Sequence, residues 1–106
     1  MATSNQDILS AGEFDRVIHE PARLLIMTYL SLVDSADFVF LTRETQLTRG
    51  NLSSHLRTLE NAGYITVEKE FVDRKPRTLL RITKEGRVAL SKYRQNMGQI
   101  ISNIPE

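Results

Sequence analysis

Between Leu47 and Ile65 the chain reads LTRGNLSSHLRTLENAGYI. Leu52, Leu56 and Leu59 recur at helical spacing and mark one narrow apolar stripe. The other side carries Arg49, Asn51, Ser53, Ser54, His55, Arg57 and Thr58. Each of these side chains donates or accepts hydrogen bonds, and none is acidic. One anchoring face and one polar face suit a helix laid in the major groove of DNA. Arginine pairs bidentately with guanine and asparagine with adenine, each worth about 1–3 kcal/mol of discrimination. Gly50 costs the helix about 1 kcal/mol of propensity. Close approach of backbone to DNA would justify that cost; an accommodating first turn is the plainer reason.

Charge is distributed in the same sense. The 106-residue chain is nearly neutral at +1. Met1–Thr42 holds two basic and six acidic residues, whereas Arg43–Arg87 holds ten basic and six acidic. A basic middle is the footprint of a polyanion binder, set against ordinary surface scatter. With no cysteine, disulfides, thiolate metal sites and cysteine nucleophiles are excluded. The two histidines, His19 and His55, have no ligand spacing around them. No nucleophile–base pair or phosphate-cradling glycine loop is present, so an enzyme is not expected, nor any cofactor. The N-terminus lacks the basic start and apolar run of a secretory signal, and no stretch is long enough to span a bilayer. These features lead us to expect a cytoplasmic protein without membrane contact.

The elements that must position the polar helix can be read around it. Residues 1–12 are small and polar and read as a flexible segment. A first helix is expected from residue 13, with Phe14, Val17 and Ile18 at helical spacing. Pro21 suits the first turn of a second helix, whose broad apolar face comprises Leu24, Leu25, Met27, Thr28 and Leu30. Asp37 can cap a short third helix, FVFLTRET, with Phe38, Leu41 and Thr45 inward. After a turn at QL, Thr48 caps the polar helix, which runs from Arg49 to about Asn61, and Gly63 fits a left-handed position beyond its end. YITVEKEF alternates as a half-buried strand with Ile65, Val67 and Phe71 inward. VDRKPR is a charged turn and TLLRI a second strand, so the hairpin has a basic tip of Arg74, Lys75 and Arg77. Thr83 caps a last helix with a long apolar stripe. The fold class expected is mainly α with a small β-hairpin.

Helix, helix, helix-turn-helix, hairpin, helix is the order of a winged helix-turn-helix domain. The chain resembles the MarR/ArsR-like winged-helix transcriptional regulators of bacteria and archaea, in particular their short stand-alone members. DFVFL, LTRGNLSSHLRTLENAGYI, EKEF with RKPRT, and RITKEGRVAL carry the resemblance, over about Pro21 to Leu90. It implies a sequence-specific double-stranded DNA-binding regulator. Arg49, Asn51, Ser53 and Ser54 lie toward the end of the helix that enters the groove. Ser53 and His55 match the family's Ser-x-His pair, which tends to contact phosphate and bases respectively. Arg57 and Thr58 would meet backbone, Thr42 and Arg43 a flanking phosphate, and the capping Thr48 is counted with the DNA-binding residues. Arg74, Lys75 and Arg77 would lie on the minor groove or the backbone beside it. Plainer alternatives stand beside these roles. His55 can be a solvated helix residue, Arg57 can pair with Glu60 or Asn61, and the wing charges can simply solvate a turn.

Such regulators usually act as twofold dimers, so a homodimer is expected. Its interface would join the last helix (Tyr93, Met97, Ile100, Ile101) to the first (Phe14, Val17, Ile18). The competing arrangement pairs the two termini within one chain. The domain is thus expected over residues 13–101, with 102–106 as a flexible tail. No small-molecule effector site can be read. The alternative function is a protein-docking winged helix, which would need hydrophobic anchors on the helix from Arg49 to Asn61.

Overall fold

A computed structural model describes residues 14–106 of the chain. Pro21 opens helix α1 (Pro21–Ser31). Glu20 before it is extended, and its carboxylate accepts from the Arg23 backbone N–H at 2.9 Å. Steric conflict with the proline ring keeps the preceding residue out of the helical region. The helix expected from residue 13 is absent over residues 14–20, which form a turn and bends. Asp15 closes that turn. Its carboxylate accepts from Val17 N and Ile18 N, and its carbonyl from His19 N. Glu13 and the segment 1–12 lie outside the described residues.

Helix α1 buries Ile26, Met27 and Leu30. Leu25 and Thr28, expected on the apolar face, are exposed. At 100° per residue they fall about 150° from the centre of the arc that Ile26, Met27 and Leu30 share. The C-terminal end of α1 is held by Arg87, which donates to the Ser31 carbonyl at 3.1 Å.

A two-residue strand, β1 (Ala36–Asp37), follows where only a break was expected. Asp37 ends the strand and caps helix α2 (Phe38–Thr45), accepting from Phe40 N at 2.7 Å. Helix α2 stops at Gln46, which is left-handed at φ 59°. Thr48 then caps helix α3 (Arg49–Asn61) by accepting from Asn51 N. Helix α3 ends in a Schellman motif: Tyr64 N donates to Leu59 O, Gly63 N donates to Glu60 O, and Gly63 has φ 81°.

Strands β2 (Ile65–Val72) and β3 (Lys75–Ile82) form the wing, with β3 central between β1 and β2. The turn is only two residues, Asp73 and Arg74, with φ 53° and 68°. Positive φ at both centres is the type I′ signature, whose twist matches the strands. Val72, Lys75, Pro76 and Arg77, expected in the turn, are strand residues. The hairpin thus outruns the core. Phe71, expected inward, is 77% exposed because no layer lies over that end of the wing.

Thr83 caps helix α4 (Lys84–Ser102), accepting from Gly86 N while donating to the Gly63 carbonyl. The expected tail begins with a further turn, in which Ile104 N donates to Ile101 O. The core joins Ile18, α1, α2, α3, the bases of β2 and β3, and Tyr93 of α4. No helix among the described residues is long and apolar enough to cross a membrane.

Tyr64, at the base of the wing, donates to the Asp15 carboxylate and ties the N-terminal turn to the sheet. Burial first, then that hydrogen bond and the carboxylate's charge, push the Tyr64 phenol up to about 12. An unfolded tyrosine titrates near 10. The folded state holds the proton more tightly, so this contact's contribution is intact below pH 10 and is lost as pH rises through about 12. We expect thermal midpoints to fall across that window and the Tyr64→Phe variant to lack this part of the fall, as followed by circular dichroism.

Candidate nucleic-acid interface

Leu52, Leu56 and Leu59 are enclosed, which turns the rest of α3 outward. Arg49, Gly50, Asn51, Ser54 and Arg57 are exposed, while Ser53, His55 and Thr58 are half-buried at the edges of the face. Thr48 occupies the N–H of Asn51 with its side chain and that of Leu52 with its carbonyl. A methyl group added at Gly50 would meet nothing within 4 Å. The fold itself therefore does not demand glycine there.

A groove of 360 Å³ separates α3 from the wing. Three cations line it, Arg49, Arg57 and Lys69, with one carboxylate, Glu60, and the hydroxyls of Ser53 and Thr78. The Arg49 guanidinium lies 5.0 Å from the centre of the Phe38 ring, so α2 orients the first side chain of α3. Arg57 takes part in none of the ion pairs found among the described residues. Lys69 was not among the residues singled out from the sequence. Its place follows from sharing a strand face with Val67, two residues back.

His55 is held by a residue the sequence reading left out. Arg23 of α1 donates through Nε to the Val17 carbonyl at 2.6 Å, and its Nη1 lies 3.2 Å from His55 Nδ1. A guanidinium only donates, so Nδ1 accepts and the imidazole proton sits on Nε2. Nε2 has no partner among the described residues, and no side-chain nitrogen or oxygen there is both buried and unpaired. Nε2–H therefore reaches solvent as a donor, and His55 is a fixed ring rather than a freely rotating one.

Other expected contacts are committed elsewhere. The Thr42 hydroxyl donates to Phe38 O and that of Thr58 to Ser54 O, so each spends its proton on its own helix. Arg77 is not at the tip. It lies on the reverse side of the wing, 3.7 Å from Asp37 and 3.8 Å from Glu70. Glu68 is likewise taken by Arg81 at 3.3 Å. Glu68 and Glu70 are thus paired with strand arginines, while Asp73, Arg74 and Lys75 stand exposed at the wing end and Arg43 on the last turn of α2.

The terminal residues divide. Ile18 and Tyr93 are buried within the chain at 0% and 6% exposure. Phe14 stacks on His19 and meets Tyr93 edge-on, and His19 Nδ1 lies 2.7 Å from the Tyr93 hydroxyl. Burial pushes the Tyr93 phenol above its ordinary value. Phe14, Val17 and Met97 pack partly against the same core. Ile18 and Tyr93 thus serve intrachain packing rather than an open face, as their positions against α1 and α4 require. Ile100 is half-buried, and Ile101 with Ile104 is exposed beyond them. No group of three or more metal-ligating side chains occurs among the described residues.

A family model described as winged helix DNA-binding domain matches residues 22–101. An uncharacterized protein of Methanocaldococcus jannaschii is 30% identical over 89 residues, which are 84% of this chain and 97% of that protein. The structure of a transcriptional regulator homologue from Pyrococcus horikoshii OT3 is 30% identical with a TM-score of 0.79, covering 94% of this chain and 95% of that one. A mutant E. coli MarR complexed with operator DNA shares the fold at 17% identity and a TM-score of 0.65, covering 94% of this chain and 72% of that one.

Proposed function

The chain belongs to the winged helix DNA-binding domain family, and from that membership we propose that it is a transcriptional regulator that binds double-stranded DNA sequence-specifically. Helix α3 lies in the major groove. Arg49 and Asn51 read base edges, with Ser53, Ser54 and the Nε2–H of His55 beside them. Arg57, Lys69 and Arg43 meet flanking phosphates, and Arg74 and Lys75 follow the backbone or minor groove. The observation that carries this reading is the outward polar face of α3 beside a groove with three cations and one carboxylate. A docking surface would need apolar anchors on α3, and none of the exposed large hydrophobic residues of the described chain lies there.

The chain acts as a twofold dimer whose α3 helices are set about 34 Å apart, one turn of DNA. Met97, Ile100 and Ile101 form the apolar side of the interface, supported by the exposure of Ile101 at 57%. A monomer in sedimentation well above micromolar concentration would contradict this assembly.

Gel-shift titration against random duplex, followed by selection of bound sequences, tests the reading. Enrichment of a defined motif is expected. The logarithm of the binding constant should fall with that of salt at roughly −3 to −5 per protomer, about 0.9 for each phosphate neutralised. No enrichment and no salt dependence would refute it. Gly50 offers a second test. Since nothing in the fold occupies its side-chain space, Gly50→Ala should leave stability unchanged or raised by up to about 1 kcal/mol. It should weaken DNA binding about tenfold, because the added methyl group meets the DNA backbone.

A further inference from the structure

Phe71 is the most exposed of the large hydrophobic residues in the described chain, at 77%. It pairs across the hairpin with Pro76. Alternate strand residues share a face, so the pairs on that face, moving toward the core, are Lys69 with Thr78, Val67 with Leu80, and Ile65 with Ile82. Val67, Lys69 and Thr78 line the groove against α3. Phe71 and Pro76 therefore extend the α3-facing side of the wing past the groove. The wing's carboxylate–arginine pairs, Glu68 with Arg81 and Glu70 with Arg77, belong to the reverse side. On the same face Lys69 lies behind Phe71, Asp73 and Arg74 form the turn beyond it, and Lys75, paired with Val72, belongs to the reverse side.

We propose that Phe71, backed by Pro76, is an apolar wedge that enters the DNA minor groove beside the site read by α3. The inference rests on the DNA-binding reading above and adds to it a specificity-determining residue. The occupant is duplex DNA, argued from charge: an exposed phenyl ring that continues a groove lined by Arg49, Arg57 and Lys69 against one carboxylate fits a polyanion whose groove floor and sugars are apolar. The reach is suitable. Four strand residues carry Phe71 about 13 Å past Val67, against the roughly 17 Å, half a helical turn, that separate neighbouring grooves along the duplex. Apolar side chains that enter the minor groove partly unstack a base step and bend the duplex. Pyrimidine–purine steps deform most readily. The chain should therefore favour TA or CA/TG steps at the wing-proximal positions of its site, which α3 never touches.

The experiment uses the full chain and the duplex selected from a random pool, with 2-aminopurine placed at the wing-proximal step and the bend read by end-to-end energy transfer. For the parent, we expect 2-aminopurine fluorescence to rise on binding and the duplex to bend. Phe71→Ser should lower affinity about tenfold, abolish both signals and flatten the base preference at that step. Preference at the α3-read positions and the sedimentation coefficient should not change. Phe71→Leu should restore most of the bend, and an unchanged thermal midpoint for both variants checks the fold. A parent that binds duplex while Phe71→Ser keeps its bend and step preference overturns the wedge alone. So does a Phe71→Ser variant altered only in its sedimentation, which would assign the ring to a contact between copies. A parent that binds no duplex overturns the wedge and the reading it rests on together.

Discussion

Replacing Arg49 and Asn51 together with alanine should lower affinity for the selected duplex by about 30- to 20,000-fold, while binding to random duplex changes far less. The estimate takes two bidentate base contacts at about 1–3 kcal/mol each. Both side chains are exposed at the start of α3, so the substitution leaves the enclosed leucines in place. Arg49 also loses its stacking on Phe38, worth about 0.5–1 kcal/mol at an exposed site. The variant should therefore remain folded. Lys75→Ala is the contrasting case. A tip cation that meets phosphate weakens all sequences alike and reduces the salt slope by about one. Fluorescence anisotropy against selected and random duplexes separates the two kinds of loss. If the double variant binds the selected site as tightly as the parent, α3 is not the reading element.

Gly86→Ala should destabilise the chain by roughly 2 kcal/mol, the largest effect expected of a single methyl group. Its Cβ would stand 2.3 Å from the Tyr64 carbonyl oxygen and 3.0 Å from Ile82 Cγ1. That carbonyl already accepts from Thr83 N at 2.9 Å. Neither the backbone of the wing base nor the first turn of α4 can yield without loosening this junction. Any gain in helix propensity is at most about 1 kcal/mol and smaller in the first turn. The same substitution at Gly98, in the same helix, meets nothing within 4 Å. There it should stabilise by up to about 1 kcal/mol. Urea denaturation of the pair yields opposite signs if the contact at Gly86 is the cause. Equal effects would remove that explanation.

The features legible in the sequence were those fixed by neighbours along the chain. Asp37, Thr48 and Thr83 each cap a helix through a bond to a residue three positions on. The Schellman end at Gly63 and the leucine stripe of α3 are equally local. Helical spacing of Phe14, Val17 and Ile18 does not show that the Asp15 carboxylate takes the Val17 and Ile18 N–H groups in a turn, nor does it place Leu25 and Thr28 on the exposed side of α1. The rest depends on distant partners. Strand β1 is two residues long and exists only because Leu79 and Leu80 pair with it. The grip of Arg23 on His55 spans 32 positions and leaves no periodic trace. Alternation placed Phe71 on the inner face of its strand, as the register confirms, but could not tell that the core ends before it. Charge counting found a basic middle without showing that Arg77 and Arg81 are held by carboxylates on the reverse side.

The most direct measurement is the change in backbone amide chemical shifts as the selected duplex is titrated into the isotopically labelled chain. We predict salt-sensitive shifts concentrated in residues 49–58 of α3 and 69–77 of the wing, with the exposed side of α1 at Leu25 and Thr28 unmoved. Saturable shifts that map to α1 or α4, with the polar face of α3 silent, would contradict the account.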